Sequence, residues 1–340
     1  MKGSRQFFFE KKNQKTFANL GSMAVFQPRP GMGDLIWHLP IIRAIAGDNP
    51  ITLITKRSTQ ADALLANDPA IKQIIWFDRN PRQGRGRHDG LLGFPRLVAT
   101  LRALQLDTCV LLHHGASLAA AMACAGIPNR AAYGYAAAQR RWLTTGPYLS
   151  GDIQFAEAFL QAQAFAKAAG FPDLPEPNIQ SDPAAHARVA SQLAHLPRPW
   201  TVLGIGSHGA NRQWGAANFA ILATALLARS PGTVILLAAA HEAGHAEAIH
   251  TQAGHTPRIH AALGWPLQDV TALLATADTF IGNDSGPLNL RAAAGQPAYA
   301  LFGASGPLPH SRRIIPIIPP AGPRAGMSAI TPQSVLDTLP

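Results

Sequence analysis

Two short stretches carry residues able to do chemistry. Each follows an apolar run of strand character and leads into a helix-forming segment. "RPGMGDLIW", residues 29–37, sets Gly31 and Gly33 before Asp34 at a predicted helix start. There the positive end of the helix dipole favours an ionised carboxylate able to accept a proton, although an ordinary N-cap uses the same residue type. "FIGNDSGPLNLRAAAG", residues 280–295, runs from a strand into Asn283, Asp284, Ser285, Gly286 and Pro287. Such a stretch is either a turn or a cradle in which a hydroxyl and helix N-terminal N–H groups hold a phosphate. The first stretch fails as a dinucleotide fingerprint: Ile36 stands where the third glycine belongs, and Asp34 would confront the pyrophosphate.

Strands and helices must bring these loops into position, and they alternate along the chain. "MAVFQ" (23–27), "ITLITK" (51–56), "IKQIIWF" (71–77) and "DTCVLLHHG" (107–115) read as strands separated by helical segments. Between Phe171 and Trp200 six prolines mark a linker with one short helix over 184–196. The alternation then resumes with "TVLGIG", "GTVILLAAA", "TFIGN" and "YALFG". The proline-rich "PLPHSRRIIPIIPPAGPRAG" reads as irregular, and "TPQSVLDTL" as a closing helix capped by Thr331 that could pack back on the first domain. The division is therefore a basic extension over 1–21, an α/β domain over 22–170, a linker over 171–200 and a second α/β domain over 201–340. In open α/β sheets ligands bind beyond the carboxyl ends of strands, where both loops lie.

Composition narrows the classes. Of 340 residues, 47% are apolar and 14% charged, which is globular rather than disordered. No apolar run approaches the ~18 residues a spanning helix needs. Residues 1–21, with Phe7–Phe9 among lysines, have too short an apolar core for a secretory signal. Cys109 and Cys124 form no CxxC or Cys/His array, and His241 and His245 lack a third ligand, so neither a disulfide framework nor a zinc site is supported. A reducing cytosol is the simplest setting. Net charge is +10, and Arg79, Arg82, Arg85, Arg87, Arg96 and Arg102 cluster around the single acid Asp89. Such a patch either attracts polyanions or is a solubilising surface. With no recognised module and no interleaved aromatics, nucleic acid is a poor candidate.

Three blocks together, "GMGDLIWHLP", "GIGSHGANRQWGAANF" and "FIGNDSGPLNLRAAAGQPAYALFGASGP", resemble the bacterial heptosyltransferases of glycosyltransferase family 9 over roughly residues 22–339. The resemblance implies a GT-B architecture of two Rossmann-like parallel-sheet domains facing across a cleft, the acceptor on the N-terminal one and the sugar nucleotide on the C-terminal one. It implies inverting transfer of a heptose from an ADP-activated donor to the lipopolysaccharide inner core, or a lipid A-linked acceptor, with neither metal nor cofactor. Asp34 then matches the family's general base, with Gly31, Gly33, His113 and His114 on the acceptor side. Asp284, Ser285, Gly286 and Pro287 match the donor loop, Arg212 falls where a lysine often meets the donor phosphates, Ser207 and His208 line the donor side, and Glu242 contacts the ribose. Asn289 replaces the family's usual histidine, so the donor's identity stays open. The arginine patch would guide a cytoplasmic enzyme to the anionic inner face of the inner membrane, an association weakened by salt. The alternatives are a noncatalytic or altered-donor sugar-nucleotide binder and an NAD-dependent oxidoreductase. The second is disfavoured by Lys56 and Arg57 where an acid should follow "ITLIT".

Overall fold

The computed structural model describes residues 21–81, 84–207, 209–308 and 311–340. The expected extension over 1–21, apart from Gly21, and the expected roles of Arg82 and His208 lie outside the described residues. The chain forms two compact units, Met1–Pro177 and Asn178–Pro340.

In the first unit five parallel strands, β1 (Met23–Gln27), β2 (Ile51–Thr55), β3 (Ile71–Trp76), β4 (Thr108–Leu111) and β5 (Asn129–Ala132), lie in the order β3-β2-β1-β4-β5. The connecting helices are α1 (Met32–Ala46), α2 (Ala61–Leu64), α3 (Gly93–Ala103), α4 (Ala116–Cys124), α5 (Ala137–Arg140) and α6 (Ala158–Ala168). Every residue of β2 and β4 is buried, as expected of strands covered on both faces. One core cluster joins Phe26, Ile54 and Leu111 to Leu97 and Leu101 of α3 and Met122 of α4. Helix α1 runs on through Pro40.

The second unit contains β6 (Trp200–Gly204), β7 (Thr233–Ala238), β8 (Ile259–Leu263), β9 (Thr279–Asn283), β10 (Ala298–Leu301) and β11 (Ile314–Ile317), ordered β11-β10-β9-β6-β7-β8. Its helices are α7 (Pro183–Gln192), α8 (Ala216–Arg229), α9 (Ala243–Gln252), α10 (Leu267–Thr276), α11 (Gly286–Ala293) and α12 (Pro332–Thr338). All neighbouring strands run parallel. In both sheets the order reverses beside the unit's first strand, between β1 and β4 and between β6 and β9. That is the doubly wound pattern, whose ligand crevice opens at the reversal.

Three expectations are corrected. The stretch expected to be irregular supplies β11, whose Pro316 pairs with Ala300. An edge strand accommodates a proline because one side of its backbone makes no ladder bonds. The helix expected within a linker is part of the second unit: Asp182 caps α7, and Arg188 donates to Asp269 Oδ1 from Nε at 3.0 Å and from Nη2 at 2.6 Å. The closing helix packs on its own unit, where Val335 and Leu336 join Trp214 and Phe219 in the core and Trp214 Nε1 donates to the Ile330 carbonyl. As expected, Thr331 caps that helix, its Oγ1 accepting from the Ser334 N–H at 3.1 Å.

Candidate functional site

In the first unit the reversal places the loop after β1 beside the residues following β4. Gly31 is the N-cap of α1, and Asp34 lies in the helix's first turn, where the dipole stabilises its charge. A Cβ on Gly31 would come within 2.6 Å of Asp34 Oδ2, so glycine is what lets the carboxylate fold back over the turn. Arg29 Nη1 stands 3.8 Å from Asp34 Oδ1, and both side chains are about a quarter to a third exposed. Arg29 also donates from Nη2 to Gln161 at 3.4 Å, while its buried Nε has no hydrogen-bond partner.

One turn further along α1, His38 is fully buried. Its Nε2 lies 3.2 Å from the Tyr133 hydroxyl and its Nδ1 3.4 Å from Gln27 Nε2, while Gln27 Oε1 accepts from Thr55 Oγ1 at 2.8 Å. Burial, reinforced by the Arg29 charge, lowers the His38 pKa to about 3, so the ring is neutral. This polar network supports the turn that carries Asp34.

His113 and His114 stack at 4.3 Å beyond the end of β4. His113 Nδ1 accepts from the Gly115 N–H at 3.0 Å, and its carbonyl accepts from Gln139 Nε2 at 2.8 Å. Burial first, then neighbouring positive charge, brings its pKa to about 3. His114 is shifted down for the same reasons but is exposed. His113 therefore braces the loop, and His114 is the ring a ligand could reach.

In the second unit the crevice lies beyond β6 and β9, which pair Gly204 with Gly282. A Cβ on Gly282 would stand 3.0 Å from both the Gly204 Cα and its carbonyl oxygen, so this approach requires glycine. Buried Asn283 joins the two strand ends: Nδ2 donates to the Ile205 carbonyl at 2.8 Å, and Oδ1 accepts from the Trp214 N–H at 3.2 Å. Glu242 holds the loop after β6 from the side of β7. Its Oε1 accepts from the Ser207 N–H and its Oε2 from the Ala239 N–H, each at 3.0 Å. Asp284 Oδ2 accepts from Arg212 Nη1 at 3.1 Å and from Ser305 Oγ at 2.7 Å.

Two hydroxyls in these loops stand out. Ser207 Oγ and Ser285 Oγ are both buried and have no hydrogen-bond partner. Leaving such a group unpaired costs about 1–3 kcal/mol. Ser285 is the N-cap of α11, yet its side chain makes no capping bond; Gly286 and Pro287 form the first turn. Asn289 is buried and donates from Nδ2 to the Ser285 carbonyl at 2.8 Å, so it ties the helix start together. Two free hydroxyls, a helix N-terminus and the half-exposed Arg212 guanidinium make an anion cradle suited to a diphosphate.

Each unit thus builds its own candidate site around residues the sequence singled out: Gly31, Asp34 and His114 in one, Ser207, Arg212, Glu242 and Asp284–Gly286 in the other. Asn283 was read as turn-forming rather than as the link between strand ends, and Arg29, His38 and Ser305 were missed. Only Arg29 left a signal, as a charge in a loop directly following a strand. Among the described residues no group of three or more His, Cys, Asp or Glu side chains is placed to hold a metal ion, and no helix is long and apolar enough to cross a membrane.

Comparison with known proteins agrees with the fold. The family model for glycosyltransferase family 9 (heptosyltransferase) matches residues 95–318. Among solved structures, ADP-heptose lps heptosyltransferase II of E. coli is similar at 20% identity and a TM-score of 0.69, over 93% of this chain and 96% of that one. A glycosyl transferase family 9 protein from Veillonella parvula gives 19% identity and a TM-score of 0.76, over 93% and 95%. E. coli heptosyltransferase WaaC, solved with ADP-2-deoxy-2-fluoro heptose, gives 17% identity and 0.69, over 93% and 98%. At these identities the likeness establishes the GT-B type of fold. A search of curated proteins returns no match.

Proposed function

Because the chain belongs to glycosyltransferase family 9, we propose that it transfers a heptose, with inversion and without a metal, from an ADP-activated donor to an inner-core lipopolysaccharide acceptor. The observation that carries the donor half of this reading is the pair of buried, unpartnered hydroxyls, Ser207 Oγ and Ser285 Oγ, at the ends of adjacent strands. A diphosphate would satisfy both, together with the first-turn N–H groups of α11. That a structural neighbour was solved with an ADP-heptose analogue supports the choice of nucleotide.

In the reaction an acceptor hydroxyl oxygen attacks the anomeric carbon, and the bond from that carbon to the donor phosphate oxygen breaks. ADP departs with the electron pair, and the hydroxyl proton passes to the Asp34 carboxylate. Arg212 and the cradle neutralise charge growing on the leaving diphosphate, where electrostatic stabilisation is most effective. Arg29, 3.8 Å from Asp34, pairs with the carboxylate and holds it at the helix start. The exposed arginines of the first unit draw the enzyme to the anionic inner face of the inner membrane, where a lipid A-linked acceptor lies.

A second reading, transfer from a different nucleotide sugar, is favoured by Asn289, whose amide is bonded to backbone and cannot carry a proton. One experiment addresses both. ADP-heptose and other nucleotide sugars are offered with a deacylated core acceptor to wild type and Asp34→Asn. ADP-heptose should be the preferred donor, and Asp34→Asn should lose transfer by about 100-fold or more. Full transfer by Asp34→Asn would remove it as the base, and preference for another donor would select the second reading.

A further inference from the structure

The loop from Asp78 into α3 exposes apolar side chains that no core accounts for. Leu91 is 97% exposed, Leu92 59% and Phe94 42%. The inner face of α3 is occupied by Gly93, Leu97 and Leu101, all buried, so these three residues are not the edge of its amphipathic stripe. Nor is the tip loosely held. His88 stacks on Phe77, and its Nδ1 accepts from the Asp78 N–H at 3.0 Å. The His88 N–H donates to the Asp78 carbonyl at 2.7 Å, and the Gly93 N–H closes the turn onto the Gly90 carbonyl at 3.0 Å.

Charge is sorted within the same loop. Its two acids turn inward to bind backbone: Asp89 accepts from the Asn80 and Gly86 N–H groups at 2.9 and 2.7 Å, and Asp78 Oδ2 accepts from the Arg87 N–H at 2.8 Å. Arg85, Arg87 and Arg96 are exposed, and no ion pair found among the described residues involves them. These three arginines border one cavity of about 500 Å³ together with Leu91 and Leu92. An apolar point within a cationic collar matches the acyl boundary and phosphate layer of an anionic bilayer, and binding that combines both signals is stronger than either alone.

We infer that the Gly84–Arg96 segment is a membrane-docking wedge, in which Leu91, Leu92 and Phe94 enter the interface of an anionic phospholipid bilayer while Arg85, Arg87 and Arg96 bind its phosphates. This rests on the reading of a lipid-linked acceptor and adds an apolar anchor to it, so binding keeps a component that salt does not screen.

The test is co-sedimentation of the full chain with phosphatidylglycerol-containing and pure phosphatidylcholine vesicles, at low and high salt. Wild type should bind the anionic vesicles and retain part of that binding at high salt. Leu91→Ser/Leu92→Ser should weaken binding at least about tenfold and remove most of the salt-resistant part. Arg85→Gln/Arg87→Gln/Arg96→Gln should abolish the preference for anionic lipid. A Leu91→Trp variant should show quenching by brominated acyl chains beyond the wild-type signal. Both multiple variants should transfer to the deacylated acceptor at the wild-type rate, which keeps this test separate from that of the reaction. Undiminished vesicle binding by the leucine variant, no added quenching of Leu91→Trp, or self-association of the wild type that the leucine variant loses would each overturn the wedge.

Discussion

Replacing Gly206 by alanine should weaken nucleotide binding without adding a contact to the nucleotide. A Cβ at Gly206 would overlap the Glu242 carboxylate, with Oε1 at 2.8 Å and Cδ at 2.7 Å. Glu242 must then give up the Ser207 and Ala239 N–H groups, or the loop after β6 must move away from β7. Bonds to a charged acceptor contribute about 1.5–3 kcal/mol when buried, and this carboxylate is only half-buried, so the pair together contributes about 2 kcal/mol. Lost from the positioning of Ser207, that amounts to about a 30-fold rise in the Kd for ADP. Glu242→Gln acts on the same two bonds, because its amide can present only one acceptor to two donors. Titration calorimetry with ADP on Gly206→Ala, Glu242→Gln and the double variant closes a thermodynamic cycle. The double variant should be no worse than the poorer single one. Additive losses would mean that the two residues act separately, and an unchanged Kd in Gly206→Ala would show that the Glu242 tether does not position the cradle.

Two other perturbations test the units themselves. Arg291, 1% exposed, donates to the carbonyls of Pro297, Leu274, Ala277 and Asp278, and burial lowers its pKa to about 10. Arg291→Met leaves several buried carbonyls unpaired and should cost about 2–4 kcal/mol in denaturant unfolding; a loss within about 0.5 kcal/mol would contradict that assignment. His38 and His113 have native pKa values of about 3 against 6.5 for the free side chain. Between those values the unfolded chain binds protons that the native chain does not, so stability is full above pH 6.5 and falls as pH drops towards 3. His38→Gln should flatten part of that decline in urea midpoints measured from pH 7 to 4, and an unchanged slope would refute a neutral buried ring.

Elements with strong local signals could be read before folding was considered. The apolar runs of β1, β2, β4, β6 and β9 are long enough to be strands with both faces covered, and the two glycine loops between strand and helix mark where a crevice must open. Shorter or disguised strands were not legible. "NRAA" of β5 is polar and brief, "IHAAL" of β8 is weakly patterned, and "IIPI" of β11 contains a proline that only an edge position tolerates.

Residue roles divide along the same line. That Asp34 opens a helix and that Ser285 and Gly286 start another follows from neighbours a few positions away, because dipoles and caps are local effects. That Glu242 tethers a loop 35 positions earlier, that Ser207 and Ser285 keep buried hydroxyls without partners, and that Leu91 and Leu92 face outwards depend on which strands become neighbours. Hydrogen-bond satisfaction and burial are properties of the packed chain, since each is set by atoms that chain order leaves far apart and only the sheet order β11-β10-β9-β6-β7-β8, or its five-stranded counterpart, brings within reach.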